Sequence, residues 1–212
     1  MENNLYKKVV FTDLDGTLTL KDTYFSFLLQ YVTLKKMMKN ILTLIKVVFL
    51  YSIKRVSDDK IKIITYKIFF TDIAMVDIES KIPIFIRKIK WNKKILNKIN
   101  ILKEDSYKIY IVTASPDFYV KYICDYLKFD GFISTRAKIS EDGKLIGEFN
   151  GNVCNFQEKV DRIENSSFFD KNSTSTISFG NSKGDMPMLE FCNESYFVKK
   201  YNIRNINNIR GS

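Results

Sequence analysis

Residues 8–18 read KVVFTDLDGTL. The apolar, β-branched first half predicts a buried strand, and the turn signal over Asp13–Gly16 predicts where that strand ends. Two carboxylates, Asp13 and Asp15, therefore follow the tip of a strand directly. Open α/β sheets bind their ligands outside the carboxyl ends of the strands. This stretch thus predicts the first strand of a sheet and a functional site at its end.

Strands and helices alternate in the second half of the chain. Strands are predicted over residues 107–113 and 174–179, extended chain over 131–140, a hairpin strand over 144–149 and an edge strand over 196–198. Helices are predicted over residues 116–129, 156–163 and 185–191. The tail from Tyr201 is expected to lack fixed structure. This alternation predicts an α/β fold built on an open, mostly parallel sheet.

The segment between the first two core strands, residues 21–104, has a helical pattern. It contains no glycine from residue 34 to 101, and Asp22 is a candidate N-cap for its first helix. We therefore predict two units, a core of residues 1–20 and 105–212 and an all-helical cap of residues 21–104.

One helix of this cap carries an apolar stripe at helical spacing. The stripe consists of Leu42, Ile45, Phe49 and Ile53. The apolar run around it is about a dozen residues long, too short to span a bilayer. We expect the stripe to pack inside the cap, in preference to the alternative that it lies on a membrane surface.

All of the excess positive charge lies in the cap. Residues 21–104 carry a net charge of +11, and the remainder of the chain carries −1. A basic surface favours anionic partners, although lysine-rich solvated helix faces explain it equally well. No nucleic-acid motif occurs, so we expect a phosphorylated small-molecule or lipid substrate and no nucleic acid. Peripheral contact of the basic cap with the inner face of a membrane is an alternative that the sequence leaves open.

Composition excludes several catalytic classes. The chain contains no histidine, which excludes Ser-His-Asp and Cys-His catalysis, histidine phosphatases and histidine-bound metals. None of the three cysteines is followed by arginine six residues later, which excludes a cysteine phosphatase. The cysteines are few, odd in number and widely spaced, so we expect a reducing, cytoplasmic location.

The two carboxylates at the strand tip indicate a chemistry. Asp13 and Asp15 cannot both be buried and ionised without a cation, and Mg²⁺ suits such oxygen ligands. One carboxylate can then attack phosphorus while the other carries a proton. The Thr113 hydroxyl, the Lys159 ammonium and the backbone N–H groups at Gly16 can neutralise the phosphoryl oxygens. The alternative for Asp-x-Asp-Gly alone is a turn with local hydrogen bonds.

Four strings, in order, resemble the motifs of the haloacid dehalogenase-like superfamily. They are FTDLDGTLT (11–19) for motif I, IVTAS (111–115) for motif II, Lys159 within EKVDRI (158–163) for motif III and GNSKGDMPML (180–189) for motif IV. The order and spacing match over residues 8–191. The helical insert resembles the C1 cap of the phosphoserine phosphatase-like branch, subfamily IB. The resemblance implies a Rossmann-like core with a parallel sheet.

The resemblance also implies catalytic roles. Asp13 would be the nucleophile that forms an aspartyl-phosphate, and Asp15 the general acid and base. Thr113 and Lys159 would bind the phosphoryl group together with Gly16 and Ala114. An Asp at position 15 favours a phosphatase, or less often a phosphomutase, over a dehalogenase, a phosphonatase or a transport ATPase.

The implied cofactor is Mg²⁺. Its ligands would be Asp13, the backbone carbonyl of Asp15, Asn181 and Asp185. The superfamily usually has Asp where this chain has Asn181, so the site loses one negative charge although an amide oxygen can still bind magnesium. The sequence does not decide whether Asn181 or Asp185 is the main ligand.

The substrate remains open at this stage. In phosphoserine phosphatases a cap Glu and Arg bind the amino acid; here Asp22 stands at the early cap position, and the cap arginines Arg55 and Arg87 lie in no such motif. The stretch from Phe11 to Tyr31 resembles phosphatidylglycerophosphatase C-like proteins. A small phosphorylated metabolite, a lipid head-group phosphate and phosphoserine are therefore the candidates. A non-catalytic basic binding protein is the alternative from another class.

Overall fold

Helices dominate the first half of the chain, and strands alternate with helices in the second. The computed structural model describes residues 5–199 and 202–206. The strands are β1 (Lys8–Thr12), β2 (Ile73–Ala74), β3 (Lys108–Pro116), β4 (Gly131–Thr135), β5 (Ala137–Ile139), β6 (Lys144–Phe149), β7 (Ser175–Gly180), β8 (Glu194–Lys199) and β9 (Asn202–Asn205). The helices are α1 (Thr23–Leu28), α2 (Leu34–Lys39), α3 (Ile41–Ser52), α4 (Asp58–Phe70), α5 (Met75–Lys88), α6 (Lys93–Glu104), α7 (Asp117–Leu127), α8 (Gln157–Glu164) and α9 (Met186–Phe191).

A six-stranded sheet in the order β4-β3-β1-β7-β8-β9 forms the centre. Its first five strands are parallel, and β9 runs antiparallel to β8. Strand β1 lies between β3 and β7, and Val9, Val10 and Phe11 are fully buried. Burial on both faces explains why this strand is continuously apolar. The predicted α/β fold with a mostly parallel sheet is confirmed, and the carboxyl ends of β1, β3 and β7 meet at one edge.

The C-terminal region is more ordered than the sequence predicts. The predicted edge strand exists as β8, but it is not at the edge because β9 pairs with it. Ile203 packs against the core, and the Asn205 Nδ2 donates to Glu194 Oε1 at 3.2 Å. The prediction of an unstructured tail is therefore wrong for Asn202–Asn205, whereas Tyr201 and residues 207–212 lie outside the described residues.

Helices α1, α4 and α5, between β1 and β3, contribute buried side chains to the core. Asp22 is the N-cap of α1, as predicted, and its Oδ1 accepts a hydrogen bond from Phe25 N at 2.8 Å. From α1, the ring of Phe27 contacts Phe85 of α5 at 4.8 Å and Tyr119 of α7 at 5.2 Å between centroids. One continuous apolar cluster thus joins the helical segment to the sheet layer.

The helical segment is not purely helical. Asp72 has a φ of 64°, which ends α4 and turns the chain along strand β6. Its N–H donates to Leu145 O at 2.9 Å, and β2 then pairs antiparallel with β6. The prediction of an all-helical insert therefore misses one short strand, which belongs to a second sheet in the order β2-β6-β5.

Helix α3 does not pack inside the cap. The expectation that its apolar stripe is internal is wrong, because Val47 is its only buried residue. Leu42 is 80% exposed and Phe49 is 62% exposed. The helix touches the rest of the protein along one edge, where Val47 is buried and Leu44 packs against the core. Within residues 5–199 and 202–206, no helix combines the length and the apolar character needed to cross a membrane.

Candidate active site

Three adjacent strand ends and one helix place the predicted residues around a single cavity. Asp13 follows β1, Thr113 lies in β3, Asp185 follows β7 and Lys159 lies in α8. All four line a cavity of about 530 Å³. Asp13 N donates to Phe179 O at 2.9 Å, which fixes the end of β1 against β7. The parallel sheet thus unites residues that are far apart in sequence.

The Lys159 ammonium is the buried cation of the site. It is 1% exposed and donates to Asp13 Oδ1 at 2.8 Å, Asp185 Oδ1 at 2.6 Å and Val112 O at 2.8 Å. An ammonium has three protons, so all of its donors are used. Lys159 therefore holds the two carboxylates together, and a phosphoryl group would have to share or displace one of these bonds.

The buried charges do not balance. Burial alone would lower the pKa of Lys159, but Asp13 and Asp185 outweigh burial and hold it well above its ordinary value. Burial would likewise raise the pKa of Asp185, but Lys159 and neighbouring hydrogen bonds hold it below its ordinary value. Burial, followed by the negative charges of Asp185 and Asp15, raises the pKa of Asp13 to about 7. Asp13 is thus the carboxylate that needs another cation in order to ionise fully.

Asp185 also shapes the loop that follows β7. Its Oδ2 accepts hydrogen bonds from Asn181 N at 3.0 Å, Ser182 N at 2.9 Å and Ser182 Oγ at 2.8 Å. With Oδ1 on Lys159, both oxygens of this carboxylate are occupied. Asp185 therefore positions the loop and the lysine.

The Asp15 carboxylate is held away from Lys159 by two hydroxyl side chains and a backbone N–H. Its Oδ1 accepts from Thr23 N and Thr23 Oγ1, both at 2.6 Å. Its Oδ2 accepts from Ser115 Oγ at 2.6 Å. These bonds fix the carboxylate at the junction of the β1 turn, α1 and the end of β3, where it lines the cavity.

Asn181 approaches the turn after β1 closely. One polar atom of its side-chain amide lies 3.0 Å from Asp15 O and 3.2 Å from Asp13 Oδ2. Gly16 makes this approach possible, because a Cβ at this position would lie 2.3 Å from the Asn181 amide. Gly16 also has a φ of 87°, a conformation that side chains disfavour. The predicted glycine is thus required both for the turn and for the contact with Asn181.

The remaining predicted residues occupy different parts of the cavity. Thr113 is 1% exposed, and its Oγ1 accepts from Ser115 N at 3.1 Å. Ala114 lines the same wall. Asp22 also lines the cavity, and it caps α1.

Three residues of the site are not among the predicted ones. Thr23 and Ser115 hold Asp15, and Asn155 links the core to the helical segment through a 2.8 Å bond from its Nδ2 to Asp59 Oδ1. Ser115 lies within the IVTAS string and Thr23 follows the predicted N-cap, but neither pattern reveals that both side chains meet Asp15. Their proximity depends on tertiary structure.

The helical segment supplies six apolar and five polar side chains to the cavity wall. Its apolar members are Phe25, Leu44, Val47, Val48, Tyr51 and Ile61, and its polar members are Asp22, Asp58, Asp59, Lys62 and Thr65. Apart from Lys159, Lys62 is the only cationic side chain that lines this cavity in the described part of the chain. Neither Arg55 nor Arg87 reaches it.

Comparison with known proteins identifies the family. Residues 10–190 match the sequence profile of the haloacid dehalogenase-like hydrolases. Protein CicA of Caulobacter vibrioides (strain NA1000 / CB15N) is 29% identical over 185 residues, which cover 86% of this chain and 82% of CicA.

Solved structures share the fold. A protein of unknown function from Bordetella pertussis Tohama I superposes with a TM-score of 0.74 at 15% identity, over 89% of this chain and 88% of that one. A phosphoserine phosphatase, solved as a phospho-aspartyl intermediate analogue, superposes with a TM-score of 0.61 at 19% identity, over 89% and 85%. The family profile reaches from the first core strand into the last helix, and the protein accordingly belongs to the haloacid dehalogenase-like hydrolases.

Proposed function

We propose that this protein is a magnesium-dependent phosphomonoester hydrolase that acts through an aspartyl-phosphate on Asp13. The observation that carries the proposal is the unbalanced buried charge at the strand tips. One ammonium, Lys159, is shared by the two buried carboxylates Asp13 and Asp185, and burial raises the pKa of Asp13 to about 7. Such a group suits a nucleophile that is ionised by a bound divalent cation. Residues 21–104 then form a cap over the core of residues 1–20 and 105–212.

The reaction has two steps. In the first, an Asp13 carboxylate oxygen attacks phosphorus, the bond from phosphorus to the substrate oxygen breaks, and Asp15 gives its proton to the leaving oxygen. In the second, Asp15 takes a proton from water, the water oxygen attacks phosphorus, and the Asp13–phosphorus bond breaks to release phosphate. Thr113 Oγ1 accepts a bond from Ser115 N, so its own proton is available to a phosphoryl oxygen. Lys159 positions Asp13 and Asp185, and one of its hydrogen bonds would be shared with, or replaced by, a bond to the phosphoryl group.

The donor set fits a magnesium ion. Magnesium prefers oxygen ligands. The Asn181 amide lies 3.0 Å from Asp15 O and 3.2 Å from Asp13 Oδ2, so these three groups would hold the ion together. The amide oxygen would be the atom that faces a bound cation. Bound magnesium would supply positive charge against the developing phosphoryl charge.

Two of the proposed magnesium ligands, the Asp15 backbone carbonyl and the Asn181 amide, are not acidic side chains. Within residues 5–199 and 202–206, no three Asp, Glu, Cys or His side chains form a metal cluster. We therefore assign the site to Asp13, the Asp15 carbonyl and Asn181. Asp185 is not assigned as a ligand, because both of its oxygens already accept hydrogen bonds. It positions Lys159 and the loop that carries Asn181.

Asn181→Asp is expected to raise the affinity for magnesium. The substitution puts a full negative charge beside the proposed cation. Two opposite unit charges 4 Å apart attract each other by about 4 kcal/mol at an effective dielectric constant of 20. After the cost of desolvation, the magnesium concentration for half-maximal activity should fall about tenfold or more. The gain in melting temperature on adding magnesium should also increase, which reports binding without turnover.

Asn172→Asp is the matched control, since it adds the same charge at an exposed turn. Its magnesium titration at fixed ionic strength should match the wild-type curve. Asn181 is not a ligand if Asn181→Asp changes neither the magnesium concentration for half-maximal activity nor the rise in melting temperature on adding magnesium.

The shape of the cavity favours a substrate with an apolar portion. A substrate carboxylate would require a cation on the cap side, where only Lys62 is present among the residues that line the cavity. This disfavours phosphoserine. The apolar wall of α1, α3 and α4 instead favours an apolar phosphomonoester, and a lipid phosphate similar to phosphatidylglycerophosphate is the second candidate. A cytoplasmic location, with the cap at the inner membrane face, is consistent with such a substrate.

A panel of phosphomonoesters tests the function directly. We expect magnesium-dependent release of phosphate from p-nitrophenyl phosphate, and faster release from esters with an apolar group than from phosphoserine. The panel should include a small sugar phosphate and phosphatidylglycerophosphate in mixed micelles. No phosphate release from any ester, with or without magnesium, would favour the alternative of a non-catalytic basic binding protein.

A further inference from the structure

We propose that helices α2 and α3, with the chain up to Val56, form a docking surface for an anionic lipid bilayer. This segment, residues 33–56, is called the docking surface below. Val48 and Tyr51 of this segment also line the cavity, whereas its other exposed apolar residues lie outside the cavity lining. An anionic bilayer is the partner that would bring an apolar phosphomonoester to the cavity.

The first observation is exposure of apolar side chains. The described residues contain 21 exposed large hydrophobic side chains, and ten of them lie in the docking surface. They are Leu34, Met37, Met38, Ile41, Leu42, Ile45, Val48, Phe49, Tyr51 and Ile53. Such a concentration of exposed apolar side chains in one short segment is typical of an interaction surface.

The second observation is that α3 carries apolar side chains on two opposite sides. Leu44, Val47, Val48 and Tyr51 lie on the side that lines the cavity. Leu42, Ile45 and Phe49 lie on the opposite side at spacings of three and four residues, and all three are exposed. A helix with this composition is normally buried in protein or lipid. Here only one side is covered by the protein itself.

The third observation is charge. Between Asp22 and Asp58 the chain has no acidic residue and six basic ones, Lys35, Lys36, Lys39, Lys46, Lys54 and Arg55. All except Lys36 are exposed. Apolar side chains interspersed with basic ones suit a helix that lies in the interface of an anionic membrane. A second copy of the protein is a poor occupant, because two such surfaces would repel each other.

The proposed membrane contact lies next to the active-site cavity. Helix α3 is one wall of the cavity that contains Asp13, and its outer side is the proposed lipid contact. A lipid phosphate could therefore enter beside α3 with its apolar part still in contact with the bilayer. Helix α3 is too short to span the membrane, so the contact is confined to the interface.

Vesicle co-sedimentation of the full chain tests the docking surface. Vesicles of phosphatidylcholine alone are compared with vesicles that also contain phosphatidylglycerol, in the presence of a metal chelator so that no substrate is consumed. We expect binding to the anionic vesicles that falls as salt is raised, and little binding to the neutral ones. Replacing Lys39 and Lys46 together by Gln should weaken binding roughly 25-fold, about fivefold for each charge.

The double variant Leu42→Glu/Phe49→Glu should abolish sedimentation with vesicles. Ile101→Glu is the matched control, since Ile101 is 60% exposed but lies on α6, outside the docking surface; it should bind like the wild type. Thermal melts monitored by circular dichroism establish that both variants are folded, independently of any activity.

Three results would overturn the proposal. The first is equal binding by the double variant and the wild type, and the second is no binding by the wild type. The third is a wild-type dimer that the double variant converts to a monomer, which would make a second copy the occupant. Each result would leave the catalytic proposal intact, because binding is measured without turnover.

Discussion

Asp13→Asn is expected to lower the turnover of p-nitrophenyl phosphate by roughly 10⁴- to 10⁶-fold, the scale of loss when a covalent catalyst loses its nucleophile. The amide has almost the same shape as the carboxylate but lacks the nucleophilic charge. Steady-state release of nitrophenolate at saturating magnesium measures the effect.

The substitution should leave the fold intact. Lys159 retains its bonds to Asp185 and Val112 O, and an amide oxygen at position 13 can still accept its third proton. Burial and the neighbouring carboxylates already disfavour ionised Asp13, so the free energy of unfolding should not fall. Asp125→Asn, an exposed carboxylate on α7, is the control and should keep wild-type turnover. Retention of activity in Asp13→Asn would rule out the proposed nucleophile.

Asp15→Asn is expected to separate substrates by their leaving groups. Loss of general acid catalysis should slow phosphoryl transfer from an alkyl phosphate by roughly 10²–10⁴-fold. Nitrophenolate departs without protonation, so transfer from p-nitrophenyl phosphate should be nearly unchanged. The second step still needs a base, so later turnovers should be slow. Stopped-flow recording should therefore show a burst of one nitrophenolate per active site followed by a slow phase.

The structure suggests that this variant is conservative. The Asn side chain can keep its oxygen on Thr23, and its amide nitrogen can donate to the Ser115 hydroxyl, which can act as donor or acceptor. An equal loss in the first turnover of both kinds of substrate would instead indicate that Asp15 is structural.

Much of the site's location was predictable from the sequence, because it depends on local patterns. A buried apolar run ending in Asp13 predicts a strand tip, and parallel strands place their carboxyl ends at one edge. The same rule brings Thr113 and Asp185 to Asp13. The Asp22 N-cap was equally local, since a capping side chain bonds the backbone three residues later.

Other features depend on contacts that periodicity does not encode. The spacing of Leu42, Ile45 and Phe49 identifies an apolar side of a helix but not what covers it. Helix α3 carries apolar residues on two opposite sides, and packing against the protein along one side accounts for only one of them. Strand β9 was missed because its pairing with β8 is set by tertiary register, and its short polar sequence lacks strand alternation.

The same limit applies to charge at the active site. The sequence shows that Asp13, Lys159 and Asp185 are present, but not that Lys159 uses all three protons on buried acceptors. The role of the lysine as a link between two carboxylates follows only from the distances. The raised pKa of Asp13 follows from its burial and from the neighbouring carboxylates, which only the folded structure shows. Likewise, the proposed separation of roles between Asn181 and Asp185 depends on which oxygens are already hydrogen-bonded.

Trapping the phosphorylated enzyme tests the central proposal most directly. Asp15→Asn should accumulate the intermediate from p-nitrophenyl phosphate, because the variant can transfer the phosphoryl group but hydrolyses it slowly. Acid quenching during the slow phase, followed by proteolysis and mass mapping, should find one phosphoryl group on the peptide that contains Asp13. Under the same conditions, Asp13→Asn should carry none. Sustained turnover with no phosphoryl group on Asp13, or with one on a different residue, would contradict the proposed mechanism.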